Sequence, residues 1–203
     1  MKKTIALSIL LFLFSSCAKE HPTIRFRFSH LSLTSYMWLL DEDTATRKNH
    51  WHLTIFSYIR IDSSGVYQIS RRASYSDTLQ YFKGVLPSSA DSVLNTLARI
   101  TQDTSYVEQG LKPYEIYDGP TECVIIERGQ GSPTVIQYVP LLYPQESQKA
   151  YKLLQSLAGT SGGTATESFS FKPATDVIVR YERLRVFHGL PERLMRPPNF
   201  VTD

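Results

Sequence analysis

His50-Trp51-His52 is the one group in this sequence with the spacing of metal ligands. Residues two apart on a strand share a face, so both imidazoles could meet one ion. A site needs further ligands, and Asp41, Glu42 and Asp43 stand just before the pair. The sequence holds no HExxH and no CxxC, and two outward histidines at a strand start are ordinarily plain surface. Nucleophile patterns occur only out of context: Gly159-Thr160-Ser161-Gly162-Gly163 spells Gly-x-Ser-x-Gly but follows a helix and precedes a strand, the reverse of a strand-to-helix elbow, and Ser16-Cys17-Ala18-Lys19 spells Ser-x-x-Lys beside the N-terminal apolar segment. The carboxylate pairs Asp41/Asp43 and Glu122/Glu127 could do acid–base work only at a defined separation across a cleft, and charged turns and strand edges produce such pairs constantly. No motif calls for a cofactor.

Arginines concentrate near the C-terminus. Arg180, Arg183 and Arg185, followed by Arg193 and Arg196, gather positive charge in a chain whose balance is otherwise nearly flat, with Lys+Arg 22 against Asp+Glu 19. Guanidinium groups match phosphate and carboxylate in bidentate fashion, so a stripe of them suits an anionic lipid headgroup, an acidic glycan or an acidic partner protein. The alternative is a solvated sheet face whose arginines protect an edge. The flat overall balance is not that of a nucleic-acid-binding protein. Gly159 to Thr164 is glycine-rich, but it follows a helix and precedes a strand with no lysine until Lys172. That is the order of a linker, not of a phosphate loop.

These groups must be positioned by elements whose pattern is legible. Thr23 to Ser29 alternates, with Ile24, Phe26 and Phe28 on one face and Arg25 and Arg27 on the other, which predicts a half-buried strand. Residues 30–40 are apolar without a clean period, and Asp41 to Asn49 reads as a loop. Trp51 to Ile61 is the longest strand, with Trp51, Leu53, Ile55, Ile59 and Ile61 on one face. Asp62-Ser63-Ser64-Gly65 turns it into a hairpin with Val66 to Arg72, and Thr78 to Val85 follows as a strand. Pro87-Ser88-Ser89-Ala90-Asp91 announces a helix to about Thr101, with Ser88 as N-cap and Asp91 as the capping-box acid.

The second half follows the same plan. Glu122 to Arg128 and Thr134 to Val139 are strands, and Pro144 opens a helix to about Leu157. A shift of 57 residues lays Arg71 on Arg128, Pro87 on Pro144, Leu94 on Tyr151 and Leu97 on Leu154. This order predicts a duplicated β-β-α unit. Glu167 to Phe171 reads as a short strand and Asp176 to His188 as a long one. A β-bulge near Glu182 or Arg183 would keep the latter's apolar residues on one face and line Arg180, Arg183 and Arg185 on the other. The arginines of this strand would repel Arg25 and Arg27 directly opposite, so the two strands should not be neighbours. The fold class is α+β: an antiparallel sheet of about six to nine strands with two helices on one side.

The first residues set the location. Lys2 and Lys3 precede an uncharged apolar stretch, Thr4 to Phe14, and Ser15-Ser16-Cys17 follows. A basic head, a short apolar middle and a small-residue site make a secretory signal, too short to cross a bilayer at roughly 20 residues. Ending on cysteine, the segment resembles a bacterial lipoprotein signal. That resemblance implies cleavage before Cys17, acylation of Cys17 and permanent attachment to a membrane. It also implies a cell-envelope location, with Ala18 in place of aspartate favouring the outer membrane. Residues 1–16 are then the signal, 17–22 a lipidated tether, 23–190 a single α+β domain and 191–203 a proline-containing tail. With Cys17 spent on lipid, Cys123 has no internal partner, and its run Cys123-Val124-Ile125-Ile126 predicts a buried, unreactive thiol.

Two functional expectations follow. One is a non-enzymatic envelope lipoprotein whose sheet binds an envelope protein, an anionic lipid or a glycan. The other is an envelope enzyme or metal-binding protein using His50 and His52 with nearby carboxylates.

Overall fold

A computed structural model describes residues 24–43, 48–72, 78–105, 119–138, 145–159, 163–170 and 172–187. The signal segment, Cys17, the tether and the C-terminal tail lie outside the described residues. The strands are β1 His30–Asp43, β2 Lys48–Asp62, β3 Val66–Arg72, β4 Leu79–Val85, β5 Thr104–Ser105, β6 Thr121–Glu127, β7 Thr134–Tyr138 and β8 Thr164–Ala165. The helices are α1 Asp91–Leu97, α2 Gln148–Gly159 and α3 Lys172–Phe187. The strands form one sheet in the order β5-β7-β6-β1-β2-β3-β4-β8. All neighbours are antiparallel except β5 and β7, which are parallel. The α+β class and the antiparallel sheet are thus as expected, with three helices where two were read.

Two cores lie on opposite faces of the sheet. On one, Leu31, Leu33, Ile59, Ile61, Ile69, Val124 and Ile126 pack under Leu94 and Leu97 of α1 and Tyr151 and Leu154 of α2. On the other, Tyr36, Ile55, Tyr58, Cys123, Ile125 and Val135 pack under Ala174 and Ile178 of α3. Cys123 is buried and free of any disulfide, as its apolar run requires.

Several sequence expectations need correction. Asp176 to His188 is not a strand: α3 occupies Lys172–Phe187. Ala174, Val177, Ile178 and Tyr181 face the second core, a helical spacing that needs no slip in register. The β-branched run Val177-Ile178-Val179 favours a strand locally, and burial of one helical stripe on the sheet overrides it. Arg180, Arg183 and Arg185 therefore do not share a strand face. On a helix their positions are spread, with Arg185 about 140° around the axis from Arg180. Next, Thr23 to Ser29 buries Phe26 and Phe28 as the alternation demands, yet the ladder begins only at His30. The segment runs past the ends of both neighbours, because β2 turns at Asp62 and β6 stops at Glu127. Its backbone ties are scattered bonds rather than a ladder: the Arg25 and Phe26 N–H groups donate to the Ser63 carbonyl at 2.8 and 3.2 Å, the Arg27 N–H to Asn95 Oδ1 at 3.2 Å and the Ser29 N–H to the Glu127 carbonyl at 2.8 Å. Glu167 to Phe171 likewise joins no ladder over its described residues; Phe169 instead packs on Tyr58 and Tyr81. Finally, Asp41 to Asn49 is mostly strand, since β1 runs to Asp43 and β2 starts at Lys48.

The Ser88 cap is also replaced. Residues Ser88–Ala90 form a 3₁₀ turn without a side-chain cap. The Asp91 carboxylate instead pairs with the Arg25 guanidinium, which also donates to the Leu86 and Pro87 carbonyls. This anchors the entering chain beside the start of α1.

A bulge in β2 interrupts the expected face. The register slips between Ser35 and Tyr36, where Tyr36 pairs with Ile55 and Ser35 with Ser57, leaving Phe56 extra. One extra residue exchanges the faces of everything beyond it. Ile59 and Ile61 consequently serve the α1/α2 core while Ile55 and Leu53 serve the α3 core.

Candidate functional site

Each strand of the α1/α2 face can be followed residue by residue toward one end. β1 presents Leu31, Leu33, then Ser35; β2 presents Ile61, Ile59, then Ser57; β3 presents Tyr67, Ile69, then Arg71; β6 presents Ile126, Val124, then Glu122. Register makes these levels coincide. Val124, Leu33, Ile59 and Ile69 are successive cross-strand partners, and so are Glu122, Ser35, Ser57, Arg71 and Gln80. The helix-facing surface is therefore an apolar floor with one transverse row of polar side chains at its end. Strands about 4.8 Å apart put the Cα atoms of Glu122 and Arg71 about 14 Å apart along that row.

The row borders a cleft of about 550 Å³. Its walls are Leu33, Phe56, Ser57, Arg71, Arg72, Gln80 and Glu122 from the sheet, with Gln155, Ala158 and Gly159 from the last turn of α2. The β2 bulge contributes directly, since the extra residue lets the adjacent Phe56 and Ser57 both line the cleft. Arg72 holds the bulge by donating from Nε to the Ile55 carbonyl at 3.1 Å. Arg71 donates to the Gly159 carbonyl at 2.6 Å and lies over the Phe82 ring. A guanidinium has five N–H donors, and the Gly159 bond uses one of them.

Glu122 is the buried member, at 6% exposure. Gln155 Nε2 donates to its Oε2 at 2.7 Å. Burial pushes the Glu122 carboxyl above its ordinary range, and hydrogen bonds from Tyr138 and Gln155 pull the other way. A carboxyl held in this way accepts hydrogen bonds and, when protonated, donates one. Among the described residues it is the sole carboxylate lining the cleft.

Of the residues singled out from sequence, Glu122 lines the cleft. His50 and His52 lie in β2, in register with Asp41 and Leu39, but their side chains are outside the described residues, as are those of Asp41 and Asp43. Among the described residues no three His, Cys, Asp or Glu side chains group as metal ligands. Glu122 and Glu127 do not form a pair. Five positions apart on one strand, they sit on opposite faces, and Glu127 contacts His30 Nδ1 at 3.1 Å and Arg60 at 3.9 Å instead. Arg180 is exposed on α3, and the side chains of Arg183 and Arg185 are outside the described residues. Arg180 is not among the residues lining the cleft.

Arg71, Arg72, Gln80 and Gln155 were not anticipated, and Glu122 was read only as half of a pair. The signal was present as a polar residue interrupting the inward phase of each strand, but only register shows that the interruptions align. No family model, no curated protein and no solved structure matches the chain.

Proposed function

We propose that this protein is a lipid-anchored envelope lipoprotein whose domain is a binding module for a small acidic saccharide. The carrying observation is the polar row Glu122, Ser35, Ser57, Arg71 and Gln80 on a face that is otherwise apolar. Polar groups on a core-facing surface break the local rule of the fold, and such breaks concentrate where function is. The volume falls within the ordinary range for small-molecule sites. Arg71 and Arg72 suit a carboxylate, Glu122, Gln80 and Gln155 suit hydroxyls, and the Phe56 ring suits the apolar face of a sugar. The span of the row fits about two sugar units. Glycoside hydrolysis calls for two carboxyls at the scissile bond, and the described residues of the lining supply one, Glu122, which supports a binding role.

Calorimetric titration of residues 18–203 with a uronic-acid disaccharide and its neutral counterpart tests this reading. Saturable binding of the acidic sugar is expected, weakened about tenfold by Arg71→Gln, which is about 1.4 kcal/mol. Equal behaviour of the two sugars, or indifference to the substitution, would sink it. Anchoring is tested separately: Cys17→Ser should abolish acylation and release the protein from envelopes.

The duplication belongs to the same proposal. Both units run strand, strand, 3₁₀ turn, helix, and the 57-residue shift maps Ser88–Ala90 onto Gln145–Ser147 and the α1 start onto the α2 start. β3 flanks β2 as β6 flanks β1, on either side of the central hairpin. Arg71 bonds the C-terminal end of α2, and Arg128 bonds the Ala98 and Ile100 carbonyls just past α1. Each unit's arginine thus secures the other unit's helix. Exchange of residues 87–97 with 144–154 should leave a cooperatively folding protein if the units are equivalent; loss of folding would count against it.

A further inference from the structure

The exposed large aliphatic side chains among the described residues are Ile24 at 78%, Val66 at 41% and Val85 at 66%. They gather at one end of the sheet. Val66 and Val85 are direct cross-strand partners. Ile24 precedes Arg25, whose N–H bonds the Ser63 carbonyl in the turn leading to Val66. The Arg25 guanidinium reaches the Leu86 carbonyl, next to Val85. Cationic groups border the same end: Arg27 and Lys83 are exposed, and Arg60 and Lys83 line a hollow with His30, Asp62, Val66 and Gln68. The acids there are committed. Asp62 accepts from the Ser64 N–H, the Ser64 hydroxyl and the Val66 N–H, and Glu127 faces His30 and Arg60.

This end is also where the chain enters. Residues 18–23 separate Cys17 from Ile24, and an extended chain advances at most about 3.5 Å per residue. An acylated Cys17 would therefore hold Ile24 within about 25 Å of the lipid. We propose that the surface formed by Ile24, Val66, Val85, Arg27 and Lys83 rests on the bilayer that receives the acyl chains, so that the domain has a fixed orientation. The inference rests on the anchoring reading above. Aliphatic side chains flanked by lysine and arginine are the chemistry of the headgroup boundary of an anionic bilayer. Three such side chains bind weakly alone, but a short tether makes the contact intramolecular, with an effective concentration in the millimolar range. The polar row of the cleft begins at Ser57, five residues up β2 from Asp62, so it stands about 17 Å farther out.

The test uses the lipidated protein in vesicles of phosphatidylethanolamine and phosphatidylglycerol. Ile24→Cys, Val66→Cys, Val85→Cys and, at the far end, Gln80→Cys are each labelled with an environment-sensitive fluorophore; Cys123 is buried and escapes a short pulse of reagent. Lipids carrying a nitroxide on the headgroup should quench the first three labels about threefold more than the fourth, within the shallow depth of an interfacial contact. Uniform quenching at all four positions, or none at any, overturns the proposal. Self-quenching that rises with surface density, without nitroxide quenching, overturns it in favour of a second copy on this face. Flotation reports anchoring independently. If the protein does not float, the anchoring reading has failed, and the same labels on residues 18–203 held to nickel-chelating lipid by an N-terminal histidine tag still decide the face.

Discussion

The ends of α1 and α2 solve one problem in two ways. A helix leaves its last carbonyls without intrahelical partners, and an arginine from the sheet can supply donors to them. Past the end of α1, Arg128 donates to the carbonyls of Ala98 and Ile100 and to the Thr134 hydroxyl. At the end of α2, Arg71 takes the Gly159 carbonyl and lies along Phe82, and beside it opens the cleft containing Glu122. The bonding device is the same at both ends. One end spends its guanidinium on cohesion, and the other keeps polar groups at a surface a ligand can reach.

Substitutions can break that contrast. Arg128→Ala removes several partly buried bonds and strands carbonyls at the α1 end, so a loss of about 2–4 kcal/mol is expected in urea unfolding, with the proposed saccharide binding retained by the folded fraction. Arg71→Ala removes one exposed bond and should cost about 0.5–1.5 kcal/mol. If the two variants lose equal stability, the contrast between a closed and an open end fails. Glu122 sharpens it with the smallest effect, one of sign. Its carboxyl is raised by burial, so it stabilises the fold fully below the unfolded carboxyl pKa of about 4.3 and less as pH climbs through the folded value. Glu122→Gln should therefore gain stability relative to the parent as pH rises above about 4.3. A relative gain on acidification would show that the hydrogen bonds from Tyr138 and Gln155 outweigh desolvation.

The hairpin at Asp62–Gly65 and strands β3, β4, β6 and β7 were legible because alternation, turn residues and strand length agree there. Phe26 and Phe28 show where the pattern stops short: period two placed them in the core correctly but could not tell that no strand continues alongside. In α3, a β-branched run imitated a strand, and the need to invoke a bulge was itself the sign of the wrong period. The genuine bulge at Phe56 left no comparable mark, because Ile55 and Ile59 are equally apolar on either side of it. The cleft was illegible for the same reason. Ser57, Arg71 and Glu122 each look like an ordinary polar residue near a strand end until cross-strand register lines them up.

The sheet's two borders carry a consequence for self-association. Each is finished by a two-residue strand, Thr104–Ser105 beside β7 and Thr164–Ala165 beside β4. β8 covers β4 at Phe82 and Lys83, and the Thr166 N–H bonds the Tyr81 carbonyl just beyond. Strand-by-strand fibril growth needs a long run of unpaired backbone as its template. β8 thus covers the middle of β4, with a lysine beside it, and removes that part of the border as a template for neighbouring copies.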